Sequence, residues 1–168
     1  SESAAMAMFV HLAGEKTANL IRRNGINRLR TVNVPQPGIF AMPVLRNFYV
    51  SHQWLRELKR RNVGSLIGVY FRIPDDQIVW VAHYRNAHQS MSAAEASGVI
   101  MRAESPEGFE VIVPRKIERA EIHRIRRLSQ VIGWRYFPEA HGRKPCGCPY
   151  CQRGQYGSKK LRRKYESS

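Results

Sequence analysis

The stretch Ser65 to Ile73 (SLIGVYFRI) constrains the fold more than any other. Its β-branched and aromatic side chains suit a pleated, half-buried backbone, so it is expected to form a central strand. Pro74-Asp75-Asp76 then makes a turn into Gln77 to Tyr84 (QIVWVAHY), a second strand and the expected hairpin partner.

Other short runs join this pair. Met8 to Leu12 reads as a buried strand that ends near His11, and Glu15 to Asn24 reads as a helix. Ala18, Leu20 and Ile21 lie on or near one face of that helix, and Gly25 stands where a C-terminal cap is wanted. Asn27 to Val32 is basic and alternating, a strand by pattern; the prolines and glycine of Asn33 to Gly38 make a loop. Gly38 to Met42 is a short apolar strand stopped by Pro43. Asn47 caps a helix expected to run to about Arg61, with Phe48, Trp54, Leu55 and Leu58 on one face and Arg56, Lys59, Arg60 and Arg61 on the other. Ser92-Ala93-Ala94-Glu95 is a capping box that opens a helix to about Ala103. Phe109 to Val113, Glu121 to Arg127 and Gln130 to Phe137 complete the strands. Many strands with three helices predict an α+β fold on a mixed or antiparallel sheet.

At 168 residues the chain suits one domain with a core of its own. No apolar run approaches the roughly 20 residues that a membrane helix needs. The opening Ser1 to Ala5 has no basic or apolar signal region, so an intracellular, cytoplasmic protein is expected. The formal charge of +15 is large for this size. Such a field draws polyanions, which makes nucleic acid, an anionic cofactor or an acidic protein the candidate partners. The plain alternative is a solvated basic surface.

The last 28 residues differ in character. From His141 onward there are eight Lys or Arg against one acid, together with every cysteine of the chain. Cys148-x-x-Cys151 is the spacing with which two thiolates grip one Zn²⁺, and Cys146 supplies a third. Three cysteines cannot all pair as disulfides. A structural zinc on Cys146, Cys148, Cys151 and His141 is therefore expected, with His123 or His52 as alternative fourth ligands. A redox Cys pair and free thiols are the rival readings. The lysines, arginines and tyrosines beyond the cluster can neutralise phosphates and stack on bases, or can simply be solvated.

Glu110 is the odd residue of its strand, a carboxylate between Phe109 and Val111. An edge position with the side chain in water is its plain reading, as a satisfied structural imidazole is for His11. Taken together, three segments resemble the catalytic domain of ADP-ribosyltransferases of the diphtheria-toxin and poly(ADP-ribose) polymerase type. Val10-His11, Asn19-Leu20-Ile21 and Gly25-Ile26 are similar to that family's first motif. Gly38-Ile39-Phe40-Ala41 is similar to the second, and Glu110-Val111-Ile112-Val113 with the strand after it to the third. The resemblance covers about residues 8–127 and implies a split sheet, with domain limits of 8–137 for the catalytic part and 138–168 for the basic zinc tail.

It also implies NAD as substrate. Glu110 would be the catalytic carboxylate and His11 would hold the adenosine ribose. Phe40 would wall the nicotinamide ring, and Leu12, Tyr49 and Ser51 would complete the pocket, with His11 and Glu110 lining one cleft. Phe40 stands where the family usually has Tyr, Leu12 where polymerase-type members have Gly, and Gly108 where the arginine-modifying branch has Glu or Gln. The implied activity is mono-ADP-ribosylation of an acceptor other than arginine, with nucleic acid as the candidate. A non-enzymatic, zinc-stabilised nucleic-acid-binding module and an NAD-dependent RNA 2′-phosphotransferase are the alternatives.

Overall fold

A computed structural model describes residues 5–27, 38–61, 64–83 and 86–128. Within them the strands are β1 (Met6–Gly14), β2 (Ile39–Pro43), β3 (Leu66–Pro74), β4 (Ile78–His83), β5 (Gln89–Ser92), β6 (Phe109–Val113) and β7 (Ile122–Arg127). The helices are α1 (Ala18–Asn24), α2 (Phe48–Ser51), α3 (Leu55–Arg61) and α4 (Ala93–Arg102). The fold is α+β, and the strands form one sheet in the order β5-β4-β6-β2-β1-β3-β7 with every pair antiparallel. The expected strand after Asn27, the strand Gln130 to Phe137 and the whole cysteine-bearing tail lie outside the described residues.

The β-prone run Ser65 to Ile73 does become an interior strand, but its expected hairpin with β4 does not form. β3 pairs along its length with β1, from Met6 opposite Pro74 to Gly14 opposite Leu66, and its other edge is taken by β7. No edge is left for β4. The turn between them is tied down elsewhere: the Asp75 amide donates to the Ala5 carbonyl, and the Ala93 and Ala94 amides donate to the carbonyls of Gln77 and Asp75. The chain therefore passes from one half of the sheet to the other, where β4 pairs with β5 and β6.

Those halves meet at a narrow seam. β1 and β2 pair only at Phe9 opposite Pro43 and Val10 opposite Met42. The core draws on both halves: Phe9, Ile39, Val69, Phe71, Val79, Val111, Val113 and Ile117 are all fully buried in one cluster. Each such side chain contributes about 1.5–3 kcal/mol relative to exposure. The rings of Phe9 and Phe71 stack across the β1–β3 pair at 6.2 Å.

Two helices differ from expectation. The one starting at Glu15 opens as a single 3₁₀ turn, Glu15–Thr17, because neither cap position supplies a side-chain bond, and becomes α-helical only at Ala18. Ile21 is its buried residue, while Leu20 is half exposed. Gly25 ends it at φ 74°, and Ile26 and Ile117 then exchange both backbone hydrogen bonds. The helix expected from Asn47 to Arg61 starts at its cap, where Asn47 Oδ1 accepts the Val50 amide at 3.3 Å, but breaks at His52–Trp54 into α2 and α3. α4 follows expectation, with Ser92 Oγ accepting the Glu95 amide. Among the described residues, no helix is long and apolar enough to cross a membrane.

Candidate active site

Glu110 sits on β6, which is flanked by β4 and β2 and is therefore an interior strand. The edge-strand reading of this carboxylate is thereby excluded. Its side chain is about one-third exposed, and one oxygen, Oε1, lies 2.8 Å from Nε2 of His88. No bond to Oε2 is found among the described residues, and no buried side-chain N or O atom among them is left without a partner. Oε2 therefore keeps contact with solvent. Glu110 pairs with Ala82 on β4 and Phe40 pairs with Ile112, so Phe40 and Glu110 point from the same face of the sheet. They are diagonal neighbours across β2 and β6. A strand spacing of about 4.8 Å and a two-residue rise place their α-carbons about 8 Å apart.

The turn that leads into Glu110 is clamped from the break between α2 and α3. Gln53 is fully buried; its Oε1 accepts the Gly108 amide at 2.7 Å and its Nε2 donates to Pro106 O and Val50 O. Trp54 Nε1 donates to Phe109 O at 2.7 Å. His83 Nε2 donates to Glu107 O at 2.9 Å, and its ring meets Phe109 edge-on. Gly108 itself has φ 94°, a conformation that glycine adopts without strain. The glycine two positions before Glu110 thus serves the turn.

His11 lies where the β1–β2 seam stops pairing. Its Nδ1 donates to Phe40 O at 2.7 Å, taking a carbonyl that a continued ladder would have used. Burial pushes the imidazole pKa below its usual value, against a smaller upward pull from that carbonyl. Near neutral pH the ring is uncharged with its proton on Nδ1, which leaves Nε2 as an acceptor. Val10 pairs with Tyr70 and Met42, and continuing the β2–β6 register by one residue sets Met42 opposite Glu110. His11, the next residue, alternates to the other face of the pleat. The imidazole turns into the seam, and no hydrogen bond joins it to Glu110. The register brings Glu110, Phe40 and Leu12 to one face and turns His11 to the other, so the expectation that His11 and Glu110 line one cleft is not met; strand alternation separates them.

The remaining candidates are placed as follows. Leu12 is half-buried and pairs with Gly68 on β3. Tyr49 is half-buried against the core. Ser51 is buried and its hydroxyl accepts the Leu45 amide at 2.7 Å, so it holds the loop after β2. His52 is committed at both nitrogens, donating from Nδ1 to Phe48 O and accepting at Nε2 from the Tyr70 hydroxyl at 2.6 Å. Its pKa is lowered, chiefly by burial. With both nitrogens engaged, His52 would have to give up one of these bonds to serve as the alternative zinc ligand. His123 is exposed on β7. Cys146, Cys148, Cys151 and His141 lie outside the described residues, among which no cluster of three or more His, Cys, Asp or Glu could hold a metal.

Sequence reasoning missed His88, Gln53 and Trp54. His88 carries no motif; only the register of β4 with β5 brings it to Glu110. The signal for Gln53 was faint but present, since a glutamine within an apolar helical face needs buried partners. Compared with known proteins, the chain matches no family model, and no curated protein or solved structure matches it either.

Proposed function

We propose that the protein is an NAD-consuming ADP-ribosyltransferase that transfers a single ADP-ribose, with Glu110 as its catalytic carboxylate. The observation that carries this reading is the state of Glu110: a carboxylate on an interior strand, one oxygen held by an imidazole, the other open to solvent, with an aromatic ring as diagonal neighbour on the same face. A carboxylate fixed through one oxygen and open through the other is arranged to accept a hydrogen bond from a substrate hydroxyl.

The chemistry suits these groups. The bond between nicotinamide and ribose breaks, nicotinamide leaves with the electron pair, and the ribose passes through an oxocarbenium-like state. Glu110 Oε2 would accept a ribose hydroxyl proton in a hydrogen bond and stabilise the cation as it develops. The Phe40 ring offers its negative face to the charged nicotinamide ring. The acceptor nucleophile then closes the bond at the ribose carbon and releases its proton.

Incubation with NAD carrying label in the nicotinamide tests the reading: release above the spontaneous rate supports it, and release equal to a protein-free blank removes it. A second reading, a non-enzymatic nucleic-acid-binding module, is favoured by one observation. β7 exposes His123, Arg124, Arg126 and Arg127 along one strand. Salt-sensitive RNA or DNA binding without NAD turnover would select it.

A further inference from the structure

We propose that His88 is the positioning residue of Glu110, fixing one carboxylate oxygen so that the other is presented to the ribose hydroxyl; this rests on the reading of Glu110 as the catalytic carboxylate. The geometry is set by three adjacent strands. Glu110 pairs with Ala82, and β4 pairs with β5 from Ile78 opposite Ser92 to Val81 opposite Gln89. One step further along that register, Ala82 stands opposite His88. The three residues form one row across β6, β4 and the entry to β5, and the middle member has only a methyl group.

The imidazole therefore reaches over Ala82 to Oε1 at 2.8 Å. Ala82 is 5 % exposed, so a longer side chain there would fill the path. The His88 side chain is 11 % exposed and that of Glu110 33 %, which shields the contact more than a surface pair is shielded. The Asn86 amide donates to His83 O at 2.8 Å, two residues before His88. For this bond Nε2 must carry a proton, as it does in the imidazolium and in one neutral tautomer. Glutamate has three free side-chain torsions, and holding Oε1 removes most of that freedom before substrate arrives. Oε2 is left with no partner among the described residues.

Steady-state nicotinamide release by the full chain tests this with four proteins: wild type, Glu110→Gln, His88→Ala and His88→Gln. The expected result for His88→Ala is a kcat reduced by about ten- to a hundredfold with KM for NAD within about twofold of wild type. His88→Gln, whose amide N–H can stand near the position of Nε2, recovers a substantial part of that loss. A kcat of His88→Ala equal to wild type overturns the proposal. So does a loss that His88→Gln does not relieve and that tracks a lowered melting temperature, which would make His88 merely structural. Should wild type and Glu110→Gln release nicotinamide equally, Glu110 itself leaves the mechanism and His88 with it; a failure of that kind is told apart from the others by the Glu110→Gln arm alone.

Discussion

Gln53 holds Gly108 across 55 positions of chain, accepting its amide at 2.7 Å while donating to Pro106 and Val50. One buried amide thereby fixes the turn from which β6 and Glu110 emerge. Gln53→Leu keeps the volume and removes three bonds, leaving the Gly108 amide and the Pro106 carbonyl without partners. The expected cost is about 2–4 kcal/mol in denaturant unfolding. Catalysis should fall further than stability explains, because Glu110 moves with its turn. A loss below about 0.5 kcal/mol would mean that water replaces the glutamine.

His11 and His52 make stability depend on pH in a defined direction. Burial lowers both pKa values in the folded chain. As pH falls through about 6.5, the unfolded chain takes up protons that the folded chain refuses, so stability falls and levels off only below the folded pKa values. Unfolding free energy is expected to drop between about pH 7 and about pH 5, before carboxylates titrate. His52→Asn should flatten that slope. A stability that is constant or rises over the same window would contradict the neutral imidazoles.

Gly25 meets two demands at once. It ends α1 at φ 74°, and an added Cβ would stand 2.1 Å from the Ile117 carbonyl oxygen. The obstacle is backbone, part of the reciprocal Ile26–Ile117 bonds, and cannot swing aside. Gly25→Ala should cost about 2 kcal/mol or more, combining the left-handed conformation with the clash. A melting temperature unchanged by the substitution would show that the Ile26–Ile117 bridge is not kept.

The cysteine cluster makes its own prediction from spacing. One zinc per chain is expected in reduced protein, and Cys148→Ser should release it. Metal analysis that finds no zinc at neutral pH would leave the redox pair or free thiols.

What could be read in advance divides along physical lines. The strand Phe109 to Val113 and helix α4 were legible because local signals sufficed: a β-branched run stopped by proline, and a serine cap with glutamate three residues on. Asn47 and Gly25 were legible as caps for the same reason. The β3–β4 hairpin was misread because a turn signal says that the chain bends and does not say which edges are free. The break at His52–Trp54 was invisible to periodicity; those three side chains have partners at Tyr70, Gly108 and Phe109, contacts that no local pattern encodes. Glu110 was conspicuous as an acid in an apolar run. His88 was not, since its importance comes from a two-strand register and from the smallness of Ala82.

The central claim is that Glu110 does chemistry. Nicotinamide release measured side by side for wild type and Glu110→Gln, a nearly isosteric change that keeps the His88 side within hydrogen-bonding reach, tests it most directly. The account predicts that the variant binds NAD within about twofold of wild type while kcat falls by about a hundredfold or more, since fixed charge at the developing cation is lost. Equal kcat values for the two proteins would contradict it.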